Sequence, residues 1–327
     1  MALSSLAVIP GLDATSYQRH ALHAEERVWV EKNCYIDVWI ELVHALGCDP
    51  VAMLGVVAAL DFEGDQWTFF KPSHGEIHEL YGLDVQELNV WRTLLEHVVE
   101  HVPQGKLIST EADAFWLPDT SGTDYQRQHT KTTIVVNEID VARERLGYFH
   151  NAGYYTLEGE DFRRTFRVGA PHDPSFMPLF AETVQTRRLV RRTPVELREL
   201  ARRFLVTHLL RRPVDNPVER FAARLAADLP LITERGLAHY HAWAFATIRQ
   251  LGAAFELLAQ HLLWLDDDAF ESATAEFSQI ASGAKVLILK GARAVNSRRN
   301  VDLSSQFAEL SNAWTNGMAA LTSALSL

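Results

Sequence analysis

Ile36, Trp39, Ile40, Val43 and Leu46 recur at helical spacing, so residues 34–46 predict a helix with one apolar face. Gly47 ends it, and Asp49-Pro50 marks the break. Leu88, Trp91, Leu95, Val98 and Val102 follow the same period and predict a second helix from Asp84 to Val102. Other stretches alternate with period two. "QWTFFK" (66–71), "KTTIVVNEI" (131–139) and "RLGYFHN" (145–151) read as strands, and "ERVWV" (26–30) as an early strand. "LEGEDFRRTF" (157–166) reads as a short helix, and the uniformly apolar "VAMLGVVAAL" (51–60) has no clear period. The amino-terminal half is therefore expected to be α+β.

Pro171, Pro174 and Pro178 punctuate residues 168–180, which places a linker at 171–185 between domains 1–170 and 186–327. Beyond it the pattern is almost wholly helical, over 194–211, 217–228, 234–265, 268–292 and 302–325, and predicts an antiparallel bundle. Residues 236–265 are apolar nearly all round and suit its central helix. There His239, Tyr240, His241 and Trp243 are either satisfied core groups or the lining of a substrate pocket.

A length of 327 residues is enough for two cores, and a net charge of −11 argues against broad nucleic-acid binding. No apolar run is long enough to span a membrane, and the amino terminus lacks the basic region of a secretory signal. The two cysteines, Cys34 and Cys48, would lie ~20 Å apart along a helix, too far for a disulfide. Free thiols suit a reducing compartment, so a cytoplasmic protein is expected.

Cys34 opens the first predicted helix, where unpaired N–H groups and the helix dipole favour a thiolate. Asn33 before it is a good N-cap type, and the same turn offers N–H groups to an oxyanion. The bland alternative is a small buried side chain. A base is also needed. Of 14 histidines, His129 is best placed, at the mouth of the 131–139 strand. Asn151 at the end of the next strand, or Asp140 after the His129 strand, would orient its ring. "HVVEH" (97–101) has histidines one helical turn apart, a metal spacing, but both also flank a core stripe as half-exposed residues. "HGEIH" (74–78) reads as loop. Nine arginines fall within 187–212, opposed by Glu196 and Glu199. They form either a solvated face or a docking patch for an acidic protein.

The stretches "NCYIDVWIELV", "DAFWLP" (113–118), "DYQRQH" (124–129) and "YFHN" (148–151) make residues 34–166 resemble the amino-terminal domain of the butirosin biosynthesis protein H family. "HTKTTI" and "LGYFHNAGYY" resemble a bacterial family linked to amino acid:carrier protein ligases. The resemblance implies a papain-like cysteine protease-type domain followed by an all-α bundle. It implies aminoacyl transfer from a carrier-protein thioester to a small amine, with Cys34 as nucleophile, His129 as base and Asn151 as orienter. Asn33 and Asp140 would support them. The partner would be an acidic acyl carrier protein docked on Arg187, Arg188, Arg191, Arg192, Arg202 and Arg203. No metal or resident cofactor is expected, since the phosphopantetheine arm belongs to the partner. Thr132 stands where that family tends to show a second histidine, and Val28 where papain-like proteases place a glutamine. A cysteine hydrolase and a catalytically silent carrier-binding partner are the alternatives.

Overall fold

The computed structural model describes residues 6–170, 179–297 and 302–327. They divide into two compact units. Unit one comprises Met1–Ala24, Asn33–Pro50 and Ser73–Arg192, and unit two comprises Glu25–Lys32, Val51–Pro72 and Thr193–Leu327. In chain order the elements are β1 (Leu6–Ala7), α1 (Cys34–Ala45), β2 (Phe62–Glu63), β3 (Gln66–Trp67), α2 (His74–Tyr81), β4 (Asp84–Glu87), α3 (Leu94–His101), β5 (Lys106–Asp113), β6 (Lys131–Asp140), β7 (Arg145–His150), β8 (Gly153–Glu158), α4 (Glu160–Thr165) and β9 (Ala181–Gln185). The helices of unit two follow: α5 (Pro194–Leu209), α6 (Pro217–Arg235), α7 (Leu237–Ala246), α8 (Ile248–Leu265), α9 (Asp267–Ser297) and α10 (Ser304–Ala324).

Unit one is built on an antiparallel sheet in the order β4-β9-β5-β6-β7-β8, with β1 paired to the far end of β6. Its long strands are β-branched and buried on both faces, so each face must be covered. Ile108, Ile134, Val136, Tyr148 and Leu157 point to one face and pack with Val98 of α3 and with Phe162 and Phe166 around α4. Residues one position out of phase, such as Thr133 and Phe149, point the other way. That second face lies under α1: Cys34 touches Thr133, while Tyr17 packs on Phe149 and Tyr154 and bonds Glu41 of the helix. The predicted α1 is present within a residue of its expected end, and its face of Ile36, Trp39, Ile40 and Val43 is buried.

Other expectations change. The helix predicted over 84–102 is a strand, a loop and the shorter α3. Thr93 and Glu96 close a capping box that starts α3 late. Trp91, predicted inward, is 79% exposed. "HGEIH", predicted as loop, opens α2 behind a Ser73–Glu76 capping box. "ERVWV" is not a strand, because the Val28 and Trp29 N–H groups donate to the Glu256 carboxylate instead. Of "QWTFFK" only Gln66–Trp67 is extended, and residues 50–59 form 3₁₀ turns. In the expected linker, residues 171–178 lie outside the described part. Residues 181–185 are β9, a central strand bonded to β4 and β5. The chain passes into unit two at Thr193.

Unit two is helical, as the periodicity predicts, with the small β2–β3 hairpin added. The stretch 234–265 holds the end of α6 and then α7 and α8, broken at Gly236 and at Thr247, where φ is −122° and ψ −71°. Among the described residues no helix is long and apolar enough to cross a membrane.

Candidate active site

Cys34 is the first residue of α1 and is half-buried. Asn33 caps the helix. Its side-chain oxygen accepts the Tyr35 and Ile36 N–H groups at 3.1 and 2.9 Å, and its carbonyl accepts Asp37 N–H at 3.0 Å. Asn33 therefore fixes the first turn through the N–H groups of Tyr35, Ile36 and Asp37, and the Cys34 N–H is not among those it accepts. The sulfur lies 3.6 Å from the Thr133 hydroxyl on β6.

Thr133 shows which sheet face the thiol sees, and strand register shows what shares it. On β5 and β6, Glu111 stands opposite Thr133 and Asp113 opposite Lys131. Directly paired residues project to the same face. Lys131 bonds Glu111 at 2.8 Å, and His129 Nδ1 meets Asp113 Oδ2 at 2.6 Å. The His129 ring stacks on Phe115, with centroids 4.4 Å apart and planes at 14°. Its side chain is 70% exposed. Moving outward from Cys34 along one face, the groups are therefore Thr133, the Lys131–Glu111 pair and the His129–Asp113 pair. The Glu111 hydrogen bond holds the Lys131 ammonium above its ordinary pKa, with a smaller contribution from Cys34. The sulfur and the imidazole share this face without sharing a hydrogen bond, and ~13 Å of strand separates Thr133 from His129.

The side chain that meets the His129 ring is neither of the two sequence candidates. Asp113 holds Nδ1, leaving Nε2 for proton transfer. Asn151 occupies the β7–β8 turn at φ +42°, and its side chain bonds no described residue. Asp140 lies at the opposite end of β6, ~30 Å along the strand from Lys131, where it pairs with Arg143. Thr132 points to the face away from α1. Its hydroxyl meets His150 Nε2 at 2.8 Å, and His150 Nδ1 meets Asp119 at 2.5 Å. A histidine in register with Thr132 would face away from Cys34, whereas position 129 shares the parity of 133.

Two further polar clusters belong to the α1 side, and the sequence reading missed both. Glu182 of β9, 1% exposed, accepts from His74 at 3.0 Å and from the Tyr35 hydroxyl at 3.3 Å. Burial, then the Glu182 charge, pushes the Tyr35 phenol well up. Beneath α1, His23 is clamped between Asp37, at 3.0 Å, and Glu41. All three are buried. Burial works to raise the Glu41 carboxyl, but the hydrogen bond and charge of His23 outweigh it and hold it below its ordinary pKa.

The remaining candidates are placed as follows. His97 and His101 stack in parallel on α3, and no third ligand joins them in a metal-binding group among the described residues. Arg187 and Arg188 are exposed. Arg191 and Arg192 bond the carbonyls of Leu46 and Glu79. In unit two, Arg202 and Arg203 lie over the rings of Phe270 and Phe204. Tyr240 is a satisfied core group whose hydroxyl donates to Ile288 O at 2.8 Å, and Trp243 stacks on Phe221. His239 is half-buried and His241 exposed.

No curated protein matches the chain in sequence. Family models do match both halves: the DUF1839 N-terminal domain over residues 18–186 and the DUF1839 C-terminal domain over 195–323. The unit boundary at Arg192 falls in the gap between them. The chain belongs to the DUF1839 family.

Proposed function

We propose that unit one is a thiol-dependent acyltransferase site, moving an acyl or aminoacyl group from a carrier-protein thioester to an amine. The observation that carries this reading is a half-exposed cysteine at a capped helix amino terminus, facing the sheet surface that bears Lys131 and the His129–Asp113 pair. The nucleophile is the Cys34 thiolate, at the helix amino terminus and on the sheet face that carries Lys131. The thiolate attacks the thioester carbonyl, and the Cys34 N–H lies where the oxyanion forms. As the C–S bond to the arm breaks, His129 Nε2–H protonates the departing thiolate. An amine then attacks the acyl-Cys34 thioester, the neutral imidazole takes its proton, and the amide leaves with Cys34 restored. Because the departing sulfur is bonded to the carbon that Cys34 attacks, this step requires the exposed His129 ring to close the ~13 Å of chain between its own position and Thr133.

An acidic carrier is the proposed partner, with Arg187 and Arg188 the exposed charges of unit one that suit it. The half-exposure of Cys34 also admits water to the acyl-enzyme, which makes hydrolysis the second reading. Mass spectrometry after mixing with an aminoacylated carrier tests the proposal. The wild type gains the acyl mass and Cys34→Ala does not. Discharge only on adding an amine marks a transferase, and discharge in buffer alone marks a hydrolase. No mass gain, with Cys34 alkylated no faster than Cys48, would leave a silent binding partner. Cys48 is the useful internal reference because burial pushes its thiol pKa up.

A further inference from the structure

Unit two holds a cavity of its own, beside α10. One wall begins where α5 stops. Arg212 donates through one guanidinium nitrogen to Leu209 O at 2.8 Å and so caps that helix end. Pro213 then removes a backbone donor, and the loop runs to Asn216, which caps α6 by accepting the Val218 N–H at 2.9 Å. The Asn216 amide also donates to Ser311 O at 2.9 Å and to the Thr315 hydroxyl at 3.0 Å, which pins the loop to α10. Between loop and helix lies a cavity of about 590 Å³, a size that suits a small molecule. Trp314 and Met318 are its buried lining, and Val214 and Leu327, 100% and 53% exposed, its outer lining. Apolar side chains left in water around a cavity are a feature of binding sites. The polar groups there have a single sense. Arg212 pairs with no carboxylate among the described residues, and no acidic side chain of these residues lines the cavity. The Trp314 side chain is buried, and its indole N–H meets no acceptor among the described residues. A buried donor left unmet is costly, so an acceptor from a ligand would be favourable. Donors without acceptors, set among aliphatic walls, suit one carboxylate on an aliphatic body.

We propose that this cavity binds a small aliphatic carboxylate, with its chain along Val214, Met318 and Leu327 and its head on the Arg212 guanidinium, where the Trp314 indole N–H supplies a second donor. Arg212 is held for that role from one side only. Its bond to Leu209 O fixes the guanidinium plane and leaves the other N–H groups of the fork for the carboxylate. The site stands apart from the thiol chemistry proposed for unit one and does not depend on it.

Calorimetry on the full chain tests this with octanoate, octanol and acetate. Octanoate binds at least tenfold tighter than either, because octanol lacks the charge and acetate the chain. Affinity rises about two- to fourfold with each methylene from butanoate to octanoate. Arg212→Gln brings octanoate down to the octanol level and leaves octanol unchanged, a split that a purely structural role would not give. Arg211→Gln, at an exposed neighbour that does not line the cavity, leaves octanoate binding within twofold. Ala319→Trp, at an exposed position on α10, fills the cavity and removes the binding of both. Trp314→Phe keeps a ring and loses the N–H, so it weakens octanoate more than octanol. Should that buried substitution unfold the chain, the Arg212 and Ala319 variants carry the test at positions the core does not need. Equal affinity for octanoate and octanol, or octanoate binding unchanged in Arg212→Gln, overturns the proposal. So does a chain that binds neither and sediments as a dimer which Ala319→Trp dissociates, since the face would then belong to a second copy.

Discussion

At the scale of the residue, the proposed chemistry divides between two charges on one sheet face. Lys131 shares the sheet face of Cys34 and His129, where it bonds Glu111. Lys131→Met is expected to slow Cys34 alkylation by anionic iodoacetate more than by neutral iodoacetamide, and added salt to do the same in the wild type, because the lysine is exposed. Asp113 fixes the His129 tautomer. Asp113→Asn should slow acyl-enzyme formation at least ~10-fold, and His129→Gln by about 10²–10⁴-fold. Asn151→Ala should leave the rate within about twofold, because its side chain touches neither group; rapid-quench mass spectrometry reads all three. Cys34 and His129 are legible in the sequence because their signals are local, a residue type at a helix start and one at a strand mouth. Asp113 is not legible, since it meets His129 only through the β5–β6 register, and no periodicity encodes which strands pair. The same holds for His74 and Glu182, 108 positions apart.

At the scale of the element, α1 is held by more than its apolar face. His23 between Asp37 and Glu41 places a buried imidazole beside two carboxylates one turn apart. Removing one partner leaves buried charge uncompensated, so His23→Gln should cost about 3–5 kcal/mol in urea unfolding. The pH dependence has a definite sign. The Glu41 pKa is depressed in the folded state, so its stabilisation is present above the ordinary glutamate pKa of 4.5 and is lost as pH falls through the lower folded value. Urea midpoints measured from pH 7 downward should therefore fall below pH 4.5 in the wild type and fall less steeply in His23→Gln. The element whose identity the sequence obscured, 84–102, shows how a regular apolar spacing misleads. Leu88 and Trp91 fit the helical period by coincidence, while the Thr93–Glu96 box states the true start. Trp91 then lies in the preceding loop, where nothing requires it to be buried.

At the scale of the whole molecule, the two compact units do not coincide with the two halves of the sequence. Residues 25–32 and 51–72 belong to unit two. Val28 and Trp29 are held by Glu256, the Trp29 indole donates to Ala281 O, and Val51 O is met by His261. A fragment ending at residue 192 would expose Trp29 and the apolar 50–59 turns. It is expected to bind hydrophobic dyes and to elute as aggregates in size-exclusion chromatography, where the full chain gives a discrete peak. The prolines that suggested a boundary at 171–185 mislead because β9 returns to the sheet after them, a long-range pairing that composition cannot show.

That interleaving has a consequence for synthesis. Trp29 and Val51 leave the ribosome more than 200 residues before the partners that hold them, Glu256, Ala281 and His261. Over that interval, at roughly 5–20 residues per second, these partners are not yet made. The nascent chain must keep Trp29 and Val51 from other hydrophobic surfaces until then, so a product terminated before α9 cannot complete the packing of unit two.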